Sequence, residues 1–408
     1  MKPKNKIQSR LVELSGQLSP LTTPQMEWAF RNTHEHFAYR LKNGKCTCMD
    51  CGAEFTETRD GRCFCPECGT QLEIKDTKER VIKQKSYFVV ITTKEEYQVV
   101  RMWMLLSEMR KGAKAKPAYL EIGQYWIDPQ GRKTVIGLQR TLGGYYFDTF
   151  AFCSPFEIRR DNEAFWRIAD EWVYPRIKVT DTIKSNGFKG SCHHIHPVCL
   201  FQQLLSNPKA ETLMKSNEIE LLRHLCHHPA DVDRYWNTIK IAKRNGYKVT
   251  NLQIWIDYIK MLDRCGKDIQ SPRYICPSNL QEEHDRYVRK LQTIQEKAKK
   301  ADDIRKAQER EASFKEQKEK FFGIRINDGE IEVKVLESVE EYRQKAESQH
   351  ICLFSAAYDQ REDSLIFSAR IDGRIIETIE VDLKTLKVVQ SRGVCNQNTE
   401  YHLNESRS

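Results

Sequence analysis

Four cysteines carry the most specific chemistry in the chain. Cys48 and Cys51 form one Cys-x-x-Cys-Gly knuckle, Cys65 and Cys68 a second, and thirteen residues separate Cys51 from Cys65. The stretches KCTCMDCG and RCFCPECG nearly repeat each other. A Cys-x-x-Cys turn lets two thiolates approach one tetrahedral ion, and the following glycine permits the tight turn behind them. Two such knuckles face to face complete a closed four-sulfur shell. The pattern predicts a zinc ribbon whose ion braces the fold and activates no water. Cys46 and Cys63 each stand two residues before a ligand and would point to its side in a strand. They could be alternative ligands or members of a larger cluster. Free cysteine packs as a small hydrophobe, and a buried or half-buried thiol is the reading taken for both.

Other constellations are less specific. Cys192, His193, His194 and His196 form one cluster, and His224, Cys226, His227 and His228 another. They could in principle meet in a second metal site, but nothing in the spacing fixes their mutual distance. His350 and Cys352 would share one face of a strand and invite a cysteine-nucleophile reading. No third residue that would orient the pair is identifiable, and buried strand cysteines are usually inert. The sequence has no phosphate loop, dinucleotide fingerprint, kinase signature or nucleophile elbow.

The elements that must position these residues follow from the hydropathy pattern. Residues 1–43 read as a basic lead with a short helix from about Pro24 to Phe37, and 44–75 as the ribbon. Within 76–185 the runs SYFVVITT, AYLEIGQYWID, KTVIGLQR and YYFDTFAF read as strands of an antiparallel sheet. Asp128-Pro129-Gln130-Gly131 makes a turn between two of them, and QVVRMWMLLSEMR fits a long strand or an intervening helix. From 186 to 285 the apolar period becomes helical, which predicts a helical domain. Residues 286–322 read as a long charged helix or linker: 286–320 holds twelve Lys or Arg against seven Asp or Glu. Tyr287, Leu291, Ile294, Ala298, Ala301 and Ile304 would line one stripe of a solvated spacer or weak coiled coil. Residues 323–400 form a small α+β domain, with hairpin turns at Asn327-Asp328-Gly329 and Asp372-Gly373 and a helix over 338–348. The expected fold class is multidomain α+β.

A chain of 408 residues holds two or three domains, each able to bury a core. The net charge of +9 is compatible with nucleic acid or another acidic partner. Fourteen unevenly spread cysteines fit a reducing cytosol, where thiols bind metal or pack. No run of eighteen apolar residues suggests a membrane span, and the start, MKPKNKIQSRLVELSGQLSP, has no secretory pattern. A cytoplasmic location is expected.

From about Gly323 to Asn398 the chain resembles the PcfJ-like family, encoded largely by conjugative plasmids, integrated mobile elements and phages. The residues that carry the resemblance are the Cys352 region followed by Tyr358, then Glu377-Thr378-Ile379-Glu380, then Gln390-Ser391-Arg392-Gly393-Val394-Cys395-Asn396. The ribbon, the sheet and the stretch NPKAETLMKSNEIELLRHL also look like that family. One departure stands out: the family signature has His directly before Cys and Val after it. Here Ile351 precedes Cys352, Leu353 follows, and His350 stands one place earlier. In a strand that shift sends the imidazole to the opposite face. The resemblance implies a setting in mobile elements and no particular reaction.

In the same segment Thr378 and Glu380 would lie on one face of a strand, with Glu377 and Ile379 on the other. Glu380, Gln390, Arg392 and Asn396, near Cys352, form a candidate ligand site or an internal polar network. The expected function is a zinc-ribbon protein that binds nucleic acid or a protein of the transfer machinery, in DNA transfer or element maintenance. The alternatives are an enzyme using Cys352 and its polar neighbours, and a scaffold for transfer proteins.

Overall fold

A computed structural model describes residues 1–142, 148–151, 154–160 and 172–397. Among these residues the chain is mixed α+β, with four sheets and eleven α-helices. It divides into two compact units, Met1–Leu252 and Gln253 onward.

The first unit opens with α1 (Lys6–Gly16) and α2 (Thr23–Thr33). A capping box of Thr22 and Gln25, with proline in the first turn, starts α2. The helix ends short of the expected Phe37, because Phe37 opens strand β1 (Phe37–Arg40). With β2 (Lys45–Cys48), β3 (Glu54–Thr56), β4 (Arg62–Phe64) and β5 (Gln71–Asp76) it builds a five-stranded sheet in the order β3-β2-β1-β5-β4. β1 pairs antiparallel with β2 and parallel with β5. The sheet that carries the cysteines is thus completed by a strand upstream of the Cys-rich stretch.

A second five-stranded sheet is antiparallel throughout, in the order β12-β9-β8-β7-β6. It comprises β6 (Val81–Lys94), β7 (Tyr97–Arg110), β8 (Ala118–Ile127), β9 (Lys133–Gly137) and β12 (Glu157–Arg159). QVVRMWMLLSEMR is the long strand of the two alternatives, buried along most of its length between β6 and β8. Leu11 and Leu14 of α1 pack with Val99, Trp126 and Ile136, and Ala29 of α2 with Phe88, Val90 and Leu105. A short pair, β10 (Gln139–Leu142) and β11 (Asp148–Ala151), lies beyond. Tyr145, Tyr146, Phe147 and Phe152 of the expected YYFDTFAF strand lie outside the described residues. Five helices follow, α3 (Asp181–Ser185), α4 (Pro197–Ser206), α5 (Pro208–Lys215), α6 (Ile219–His227) and α7 (Pro229–Arg244).

The second unit contains α8 (Leu252–Arg264), α9 (Pro272–Ile275), α10 (Leu280–Lys318) and α11 (Val339–Gln349). Its sheet is an antiparallel meander in chain order: β13 (Arg325–Asn327), β14 (Ile331–Val335), β15 (Ser364–Ile371), β16 (Arg374–Asp382) and β17 (Lys387–Arg392). Asp372 and Gly373 both have positive φ, as the primed turn requires. The charged helix α10 corrects one expectation. Ile294 and Ile304 of the predicted stripe are 47% and 37% exposed. Tyr287 of that stripe is buried, and the other buried residues of α10 are Leu280 near one end and Ala307, Phe314 and Lys318 near the other. Ala307 and Phe314 join Leu336, Tyr342, Leu353 and Ile366 in the core of the C-terminal domain. Burial of Lys318 is possible because its Nζ donates to the carbonyls of Glu362 and Ser364, at 2.7 and 3.0 Å. No described helix is long and apolar enough to cross a membrane.

Candidate functional site

Two places gather the candidate residues. In the first, the two knuckles fold alike. The Gly52 N–H donates to the Cys48 carbonyl at 2.9 Å and the Gly69 N–H to the Cys65 carbonyl at 3.0 Å. The Cys48 and Cys65 N–H groups then reach the carbonyls of Ala53 and Thr70, at 2.8 and 2.9 Å. Both glycines take left-handed φ, +83° and +69°. This shared turn aims each cysteine pair inward, and the Sγ atoms of Cys48, Cys51, Cys65 and Cys68 all lie within 4.8 Å of one another. Cys48 and Cys68 are 3.9 Å apart, Cys51 and Cys65 3.6 Å. A disulfide would need ~2.05 Å, so these are free sulfurs placed to share one ion. Burial pushes the Cys48 and Cys51 thiols up. At Cys68 burial acts the same way, but hydrogen bonds with the side chain and backbone of Thr70 bring it down to about 7. A cation among the four would compensate buried thiolate charge.

Cys46 and Cys63 are buried in the same cluster, with Ala38 and Leu72, and stand outside the four-sulfur set. Alternation in β2 and β4 puts them on the ligand face, one residue pair further along. Asp50, between the first two ligands, accepts from His36 Nδ1 at 2.7 Å while His36 Nε2 meets the Arg31 carbonyl at 3.0 Å. Both ring nitrogens face acceptors, so despite burial the His36 pKa is raised, chiefly by Asp50. The Asp50 carbonyl also accepts from Ala115 N–H at 2.8 Å, fastening the knuckle to the β7–β8 loop.

The histidine clusters give no comparable set: among the described residues the four cysteines are the one such group. His224 pairs with Asp231 at 3.3 Å, and burial, then Lys133 and His227, push His196 down to about 4.

The second place is a hollow of about 190 Å³ in the C-terminal domain. Sheet register explains it. Ile366, Glu380 and Gln390 stand side by side across β15, β16 and β17, and Ser368, Thr378 and Arg392 form the next row on that face. Helix α11 covers the second row, where Lys345 Nζ donates to Ser368 Oγ at 2.7 Å and Gln349 pairs with Thr378. The helix ends at His350, which takes left-handed φ and ψ of 54° and 46°. Here the strand expected for His350 and Cys352 is corrected: the segment is a helix cap followed by a turn, in which Cys352 carbonyl accepts from Ala356 N–H at 2.8 Å. Cys352, exposed, lines the hollow with Ile351 and Leu353, and His350 does not line it.

The hollow thus brings together Cys352, Glu380, Gln390, Arg392 and Asn396. Glu380 is buried there and held on every side. Its Oε1 accepts from Ser364 Oγ at 2.8 Å and from Arg361 at 3.2 Å, and its Oε2 from Gln390 Nε2 at 2.7 Å. The Arg361 guanidinium lies 3.5 Å over the Tyr358 ring. Tyr358 Oη in turn receives Gln390 Nε2 at 3.0 Å. Arg361 and Ser364 were not singled out from sequence. The available signal was a carboxylate at an inward strand position, which requires donors nearby.

The fold is mixed α+β, with a four-cysteine cluster that could hold a metal ion in the first unit and a small α+β domain in the second. The model of a family described as PcfJ-like protein matches residues 254–404, so the C-terminal part of the chain is PcfJ-like. The match takes in α10 and the whole C-terminal sheet; the ribbon lies outside it. No curated protein and no solved structure matches the chain.

Proposed function

We propose that the protein is a zinc-ribbon protein of a mobile genetic element that binds single-stranded nucleic acid in the cytoplasm. The four-sulfur cluster carries the zinc assignment. A tetrahedral ion with Zn–S bonds of ~2.3 Å has S···S edges of ~3.75 Å; the Cys51–Cys65 and Cys48–Cys68 pairs stand at 3.6 and 3.9 Å, and all four sulfurs lie within 4.8 Å of one another. With four thiolates and no open position, the ion is structural, and the ribbon's folding is linked to metal binding.

The nucleic-acid reading is supported by the net charge of +9 and by the ribbon's outer edge. Phe64, on edge strand β4, is 68% exposed, and Arg62, two residues before it on the same strand, is exposed too. An aromatic face in water next to a guanidinium group suits stacking of unpaired bases and contact with phosphate. The PcfJ-like match suggests the setting, DNA transfer or element maintenance. Binding isotherms on single-stranded DNA across a salt series test this. Affinity falling with a log–log slope of roughly 0.7 per phosphate contact is expected. Absence of binding at low salt, to single- or double-stranded DNA or RNA, refutes it and favours a protein partner.

A further inference from the structure

We propose that the exposed middle of α10 is a nucleic-acid surface in its own right, a basic helix that lies in the major groove of duplex DNA. The inference rests on α10 alone, not on the ribbon, its edge or its metal.

Both ends of α10 are docked, through Leu280 and Tyr287 at the start and Ala307 and Phe314 further on. Between them, every residue of 289–301 except Leu291 is exposed. The helix is thus open to solvent around most of its circumference for about 20 Å. Its charge changes over the same span. Outside it, cations are matched within the helix: Arg286 with Glu283, Arg305 with Asp302 and Glu309, and Lys315 with Glu311. Such i,i+3 and i,i+4 pairs support a solvated helix. Residues 289–301 instead hold five Lys or Arg against Glu296 alone. Lys300 reaches Glu347 of α11 at 2.8 Å. Among the described residues, Arg289, Lys290, Lys297 and Lys299 have no carboxylate in ion-pair distance.

Cations left unmatched where the helix is most exposed suit a polyanion. Their placement selects its form. Arg289, Lys290 and Lys297 lie within about 100° of one another around the helix, and Lys299 stands about 200° round from Lys297. A helix seated in a groove about 12 Å wide meets a phosphate wall on each side, and these two flanks offer a cation to both. The span has no aromatic residue on which unpaired bases would stack. The major groove of duplex RNA is too deep and narrow for side chains to read. A membrane surface asks for a broad apolar face, and Leu291 and Ile294 are the only large apolar residues of the span.

Binding isotherms of the full chain on a mixed-sequence DNA duplex, the RNA duplex of the same sequence, and vesicles of phosphatidylserine with phosphatidylcholine test the assignment, each across a salt series. We expect the DNA duplex to bind more tightly than the RNA duplex, with a log–log salt slope of roughly 3.6 for four phosphate contacts. The Lys290→Gln/Lys297→Gln double variant should lower that slope by roughly 1.8 and weaken the DNA complex. Glutamine matches lysine in helix propensity and both positions are exposed, so the fold is kept. Affinity and slope unchanged in the double variant overturn the proposal and leave the ribbon-edge reading standing. Equal affinity for the two duplexes, or no duplex binding at low salt, also overturns it. Vesicle binding that needs these lysines, with no DNA duplex bound, reassigns the helix to a membrane surface.

Discussion

The two knuckle glycines occupy equivalent turns but different surroundings, and replacing each with alanine separates backbone strain from packing. Both have left-handed φ, +83° at Gly52 and +69° at Gly69. An alanine in that region costs roughly 1–2 kcal/mol. At Gly69 nothing lies within 4 Å of the added Cβ, so strain is the whole effect. At Gly52 the Cβ would meet Ala113 N at 2.7 Å and Gly112 C at 2.8 Å. These are backbone atoms of the β7–β8 loop and cannot rotate aside, which adds about 1–3 kcal/mol. Because ribbon folding and metal binding are linked, these costs appear in apparent metal affinity. Gly69→Ala should weaken it roughly 5- to 30-fold, and Gly52→Ala by at least about a further fivefold. Competition with a chromogenic chelator measures both. Hydrogen exchange at the Ala115 amide, bonded to Asp50, should quicken in Gly52→Ala alone. Equal losses in the two variants, with Ala115 protection unchanged in both, would refute the packing argument.

Other expectations follow from the same geometry. Cys46→Ser and Cys63→Ser should keep full metal content while losing about 1–3 kcal/mol of stability for a buried hydroxyl, as metal analysis and chemical denaturation would show. Burial lowers the Lys345 ammonium from 10.5 to about 7, with Arg370 the next cause. Between those values the unfolded chain holds a proton that the folded chain lacks, so stability of this domain should rise as pH climbs from 7 to 10.5. The contribution has a limiting slope of ~1.4 kcal/mol per pH unit, and urea midpoints of Lys345→Met against the parent should show it removed. Phe64→Ala should cut single-strand affinity by about 1–3 kcal/mol per stacked base without changing metal content. An affinity identical to the parent's would move recognition away from this edge of the ribbon.

The sequence was most legible where local spacing fixes chemistry. Two Cys-x-x-Cys-Gly turns specify their own hydrogen bonds, so the four-sulfur set could be read without tertiary knowledge. The polar residues of the C-terminal hollow were also readable, because alternation along β16 and β17 places Thr378, Glu380, Gln390 and Arg392 on one face. Strand β1 was not: its parallel pairing with β5 joins residues more than thirty positions apart, and Phe37 reads equally well as the end of a helix. His350 to Cys352 alternates like a strand, yet the left-handed cap at His350 comes from the helix before it. In α10 the docking residues Ala307 and Lys318 have no hydropathy signal, since a small side chain fits close to α11 and an ammonium is buried by two carbonyls.

Elemental analysis of the purified full chain, beside Cys48→Ser and Cys65→Ser, tests the central claim most directly. The account predicts one zinc per chain in the parent, and loss of that zinc together with the ribbon's fold in both variants. Another metal in its place, or a parent protein that folds fully and holds none, would contradict it.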